Sequence, residues 1–69
     1  MQFIVKVVSI DQGKTLFIHR FSRFEQAYEF YLMLNGAVFF ERVCVKLLTA
    51  DYELISLFES RAPDQIKNL

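Results

Sequence analysis

"FSRFEQAYEFYLMLNG", Phe21 to Gly36, is the stretch on which the fold turns. Ser22 followed three residues later by Glu25 has the spacing of a capping box, in which the hydroxyl accepts from the Glu25 N–H and the carboxylate reaches back to the Ser22 N–H. Asn35-Gly36 has the composition of a stop, with Gly36 as the left-handed residue after the last turn. Between these marks the spacing predicts a helix over 23–35. On a wheel at about 100° per residue, Phe24, Ala27, Tyr28, Tyr31 and Leu34 fall within about a third of the circumference, wide enough to cover a small sheet. Phe30 and Leu32 flank that stripe on opposite sides and Met33 lies near Gln26 and Glu29, so the apolar arc approaches roughly 200°. A helix this apolar belongs inside a large protein, and this chain has 69 residues.

The segments on either side read as strands. "QFIVKVVSI" at 2–10 is rich in β-branched residues, with Phe3, Val5 and Val7 on one face and Ile4, Val8 and Ile10 on the other, where Lys6 interrupts. "DQGK" at 11–14 is a turn, and "TLFIHRF" at 15–21 returns as a second strand. Loop length sets which side of that strand faces inward: a three-residue loop, the one expected, groups Phe17 and Phe21 with Phe3, Val5 and Val7, and a four-residue loop inverts them. Beyond the helix, "AVFFERVCVKLL" at 37–48 reads as a third strand. It sets Phe39, Val43, Val45 and Leu47 against Phe40, Arg42, Cys44, Lys46 and Leu48. "TAD" turns the chain and "YELISLFE" at 52–59 pairs back. The order β-β-α-β-β predicts a two-layer α+β fold, a four-stranded antiparallel sheet with one helix packed on one face. It forms a single domain over 1–60, and the segment 61–69, which loses the periodicity, is expected to be a flexible tail.

Composition narrows the function classes. Hydrophobic residues make up 54% and aromatics 16% of the chain, more apolar surface than a domain this short can bury by itself. Cys44 is the single cysteine, so no disulfide forms within the chain, and with His19 it supplies two of the four ligands a structural zinc needs. No metal or cofactor is expected, and oligomerisation is the stabilising device that remains. The formal net charge is zero, which gives no global field toward nucleic acid or anionic lipid. The longest apolar run, "FYLMLNGAVFF", falls short of the ~20 residues a membrane span needs and is interrupted by Asn35-Gly36. No secretory signal is legible, and a reducing cytoplasm is the expected location.

No catalytic constellation emerges. His19 sits in a strand without a nucleophile or acidic orienter beside it, and Cys44 lies between two valines, where a thiol acts as a small hydrophobe. Glu25 and Glu29, four apart on the helix, mark its solvent side. The basic residues carry more information. Arg20 and Arg23 stand close together among aromatics, and Arg42 and Lys46 project from one face of the third strand. If Lys6 joins them, the open sheet face carries cations among apolar side chains, a mixture that RNA-binding sheets use with aromatics for base stacking. The chain has no "RGFGFV"-like run, so a nucleic-acid-binding or regulatory protein is the alternative here. The leading expectation is a non-enzymatic protein-binding module that acts by steric occupation of a partner protein. Small inhibitors of phages and mobile elements, anti-defence or antitoxin-like, work in this manner. Phe30 and Met33 on the helix flank are the expected contacts, with Arg20, Arg23, Arg42 and Lys46 as polar anchors and a homodimer as the expected state.

Overall fold

A computed structural model of the chain describes residues 2–60; the expected tail at 61–69 lies outside the described residues. Four strands, β1 (Phe3–Ser9), β2 (Lys14–Phe21), β3 (Val43–Thr49) and β4 (Leu54–Ser60), form one antiparallel sheet in the order β2-β1-β3-β4. The helix α1 (Phe24–Asn35) connects β2 to β3 and packs on one face. This is the β-β-α-β-β, two-layer α+β architecture that the alternating strand patterns predict.

The core lies between α1 and the two central strands. Val5, Val7, Val43, Val45 and Leu47 are buried against Ala27 and Tyr31, and Phe3, Phe21, Phe30, Leu34, Phe39 and Phe58 close its margins. Ala27 lets the helix backbone approach the sheet. Tyr31 carries its ring inward and shares a 2.8 Å hydrogen bond between its hydroxyl and that of Ser56, so the buried phenol is satisfied. The stripe is therefore rotated from the expected one: Phe24 and Tyr28 stack on each other at 5.5 Å and stay partly exposed, and Phe30 takes up a place against the sheet.

The inward face of β2 is the expected one, reached by a different route. Four residues, Ile10 to Gly13, separate the paired Ser9 and Lys14, a loop that would turn Phe17 and Phe21 outward. A register shift beside Val7/Val8 leaves Leu16 unmatched and restores the phase, pairing Phe17 with Val7, His19 with Val5 and Phe21 with Phe3.

Both helix ends depart from the expected caps. Phe21 is still paired in the sheet and the Phe24 ring meets Phe3 edge-to-face at 5.4 Å, so Arg23, extended at φ −125°, becomes the N-cap. That puts Ser22 one position too early to reach a free helical N–H, and no side chain caps this end; the Ser22/Glu25 box does not form. Glu25 still lies in the first turn, where the helix dipole favours a negative charge. At the other end Gly36 has φ −93° and ψ 0° rather than left-handed angles. Here the chain tightens into three-residue turns, with N–H bonds from Gly36 to the Met33 carbonyl (3.2 Å) and from Ala37 to the Leu34 carbonyl (3.1 Å).

The third strand begins at Val43, six residues later than the expected 37, and the fourth spans 54–60 instead of 52–59. Residues 37–42 form a linker whose far end is held by the β1–β2 turn. Buried Ser9 donates to Glu41, Gln12 donates from its side-chain amide to the same carboxylate at 3.1 and 3.3 Å, and the Ile10 N–H bonds the Arg42 carbonyl at 3.0 Å. Arg42 grips Asp11 through Nε (3.1 Å) and Nη2 (2.7 Å). The Ile10–Arg42 bond is the last backbone contact of the β1–β3 ladder; β1 turns away at Ile10, which leaves 37–41 without a strand to pair with. Between β3 and β4, Tyr52 adopts φ 64°, left-handed for a residue with a large side chain. Thr49 secures that turn: its hydroxyl accepts from the N–H of Asp51 and Glu53, and its carbonyl from the N–H of Tyr52 at 2.9 Å.

Candidate interaction surface

The six residues expected to contact a partner fall in three places. Phe30 and Met33 lie on the helix flank beside the edge strand β2, where they line a depression of about 300 Å³ with Phe21, Gln26 and Glu29. Phe30 is half-buried there, with ring centroids 5.4 Å from Phe21, 5.3 Å from His19 and 6.4 Å from Phe17. It thus helps hold α1 to β2, and Met33, 63% exposed, is the freer side chain of the two. His19 is a ring within this aromatic group, and no hydrogen bond among the described residues involves it.

Arg20 and Lys46 lie on the sheet face away from the helix, Arg23 at the helix entry, and Arg42 on the linker. Arg42 precedes β3 and is engaged by Asp11, so it does not share a strand face with Lys46. Its hydrogen bond to Asp11 draws that carboxyl below its usual pKa and raises the guanidinium's own.

The face away from the helix is built in rows, because the registers on both sides of β1 place partners side by side. One row runs Ile18, Lys6, Lys46, Leu57 from β2 to β4; the next runs Arg20, Ile4, Leu48, Leu54. Lys6 and Lys46 are direct cross-strand partners on the two central strands. In the second row the two central residues are shielded although they face away from the helix: Ile4 is 1% and Leu48 5% exposed. The Arg20 guanidinium, on the edge strand, reaches the Tyr52 hydroxyl beyond β3 at 2.9 Å, so this pair has to span the two aliphatic residues between them. The remaining faces of the central strands carry Val8 and Cys44, opposite Glu59 on β4.

No family model, curated protein or solved structure matches the chain. Among the described residues no group of three or more His, Cys, Asp or Glu side chains converges to hold a metal ion, and no helix is long and apolar enough to cross a membrane.

One surface escaped the sequence reading. In the linker, Phe39 turns toward the core while Val38 is 69% and Phe40 99% exposed. The alternation of a strand assigned Phe40 to a sheet face, where neighbours would have shared its burial. The available signal was the Phe39-Phe40 doublet itself: placed between Gly36 and a strand that begins with strict alternation at Val43, it can send one ring inward and must leave the other out.

Proposed function

We propose that this chain is a protein-binding module without catalytic activity, which works by covering a surface of another protein. The observation that supports it is the presentation of Phe40. Its ring is fully exposed, flanked by exposed Val38 and preceded by exposed Met33, yet the backbone that carries it is fastened at both ends. The helix stop bonds Ala37 on one side, Glu41 and Arg42 are tied to Ser9, Gln12 and Asp11 on the other, and Phe39 anchors the middle. An aromatic side chain held out on ordered backbone loses little conformational freedom on binding, which is what an interface hot spot requires.

A short chain with such a segment fits the work of a small inhibitor, of the anti-defence or antitoxin-like kind that phages and mobile elements encode, acting in the cytoplasm. The same segment is the natural contact for a second copy, and a homodimer is the proposed resting state. Sedimentation velocity tests the dimer: a monomer at micromolar concentration removes it. Affinity purification from the native host tests the module, comparing wild type with the double variant Phe40→Ser, Met33→Ser. Loss of a captured protein in the variant supports the reading, and undiminished capture overturns it.

A further inference from the structure

The sheet face opposite α1 has a charge arrangement that the fold does not require. Lys6 and Lys46 are direct partners across the β1–β3 ladder, at the centre of the face. Like charges placed opposite one another weaken a sheet, and two aliphatic residues at these positions would match Ile18 and Leu57 beside them. Among the described residues neither ammonium has an ion-pair partner: the ion pair found there is Arg42 with Asp11, on the linker. Glu59 is the one carboxylate on this face among the described strand residues, diagonal to Lys46 and beyond ion-pair distance. A third cation, Arg20, stands in the next row and hydrogen-bonds the uncharged Tyr52 hydroxyl.

The surroundings of the pair are aliphatic. Ile18 and Leu57 flank it in its own row and are exposed; Val8 and Cys44 lie on one side, and Ile4 and Leu48 under the Arg20–Tyr52 span on the other. Meanwhile the phenylalanines of the strands, Phe3, Phe17, Phe21 and Phe58, all fall on the helix side. Single-stranded nucleic acid binds sheets by stacking bases on aromatic rings, and the row that holds the lysines offers none; the Tyr52 ring, one row away, is tied through its hydroxyl to Arg20. Two lysines among branched aliphatic side chains, with no ion-pair partner among the described residues, instead complement carboxylates spaced among aliphatic side chains.

We infer that this face is a docking surface for an acidic amphipathic segment of a partner protein, whose carboxylates sit on Lys6 and Lys46 and whose aliphatic side chains cover Ile18 and Leu57. The inference rests on the protein-binding reading and gives it a second surface and a partner chemistry. Arg20, in the adjacent row, adds a third cation beside the pair, so the acidic end of the occupant lies toward the Arg20 row. Binding removes the repulsion within the lysine pair, so the complex gains an interaction that the free protein lacks.

The test uses the full ¹⁵N-labelled chain and three probes: a synthetic helical peptide bearing glutamates and leucines on one face, its glutamine-for-glutamate counterpart, and single-stranded oligouridine. The expected result is amide shifts centred on β1 and β3 with the acidic peptide, and affinity about tenfold lower for Lys6→Glu and for Lys46→Glu. Lys6→Gln, with no new charge, is expected to lose a smaller part of the affinity. Equal binding of the glutamine peptide, shifts at Met33 and Phe40 instead of the sheet, or no binding of the acidic peptide overturns the inference. So does tighter binding of oligouridine with a steep salt dependence, which assigns the face to nucleic acid. The Phe40→Ser, Met33→Ser comparison is independent of these probes, so failure of the sheet-face inference and failure of the protein-binding reading are told apart.

Discussion

The lysine pair makes a prediction about stability that runs opposite to the one about binding. In Lys6→Glu the cross-strand partner of Lys46 changes sign while the backbone and the neighbours Ile18 and Val45's strand stay as they are. Directly opposed side chains start from Cβ atoms about 5 Å apart, and long stems let the charged ends settle near 7 Å. At an effective dielectric of about 60 on an open face, Coulomb's law gives about 0.8 kcal/mol of repulsion for the native pair and a similar attraction for the variant. Splayed stems reduce the first and ordering of two flexible chains reduces the second, which brings the net gain to about 1 kcal/mol. For a domain this small that corresponds to a rise in Tm of about 4–8 °C. Lys and Glu are both poor strand residues, so intrinsic preference contributes little to the difference. Urea titrations at low salt and at 1 M NaCl measure it. Because the screening length falls from about 10 Å at 0.1 M to about 3 Å at 1 M, the advantage of Lys6→Glu should shrink at high salt, and Lys6→Gln should show about half of it. A variant no more stable than wild type at low salt, or a gain indifferent to salt, refutes the reasoning: the lysines would then not burden the free protein, and the argument for an anionic occupant would lose its basis.

Other perturbations address the remaining contacts. Phe40→Ser removes a ring that touches nothing else, so urea stability should change by less than about 0.5 kcal/mol while the sedimentation coefficient falls to that of a monomer. Tyr52→Phe deletes the acceptor of the Arg20 bond and should cost about 0.5–1 kcal/mol; Arg20→Met in the same background should add less than it costs alone, and fully additive losses would show that the bond contributes nothing. The Asp11–Arg42 pair predicts a pH dependence. The folded-state pKa of Asp11 lies below its ordinary value of 3.8, so its contribution is complete above that value and disappears as pH falls through the lower folded one. Acid titration of Arg42→Met should accordingly lack the part of the stability loss that wild type shows below about pH 4.

The fold was legible where side-chain period decides structure. Alternation in 3–9 and 43–49 and the helical stripe before Asn35-Gly36 are local patterns, and burial of one face fixes what they become. What could not be read locally was settled by contacts distant in sequence. The N-cap of α1 moved from Ser22 to Arg23 because Phe21 pairs with Phe3 and Phe24 packs on the same ring. The linker 37–42 is not a strand because β1 ends at Ser9 and offers it no partner, and its far end is held instead by Ser9, Asp11 and Gln12, some thirty positions earlier. The bulge at Leu16 reconciles a four-residue loop with the inward phenylalanines, a compromise between turn geometry and burial that neither signal contains alone. Among the expected contacts, Met33 and Lys46 were legible as exposed or outward positions, whereas Arg42 was misplaced with the strand start.

The distribution of side chains between the two sheet faces explains why so aromatic a chain can form a small domain and still retain free surface. Rings need a deep layer to bury their area, and the helix supplies it on one side only; Phe3, Phe17, Phe21 and Phe58 therefore gather under α1 with Tyr31 and Phe30. The other side carries no helix among the described residues, and there the chain uses Ile, Val and Leu with lysine stems, which shield the backbone without exposing large rings. Phe40 obeys neither rule. It lies outside both layers, on backbone that the Glu41 and Arg42 bonds keep ordered, so burial within this domain does not account for its being aromatic. Met33 belongs to the helix layer and Lys6 and Lys46 to the opposite face, so a second copy seated at the helix flank leaves the lysine pair uncovered. A dimer formed in this way carries two cationic faces, and a partner with two acidic segments within reach would bind it more tightly than either face alone allows.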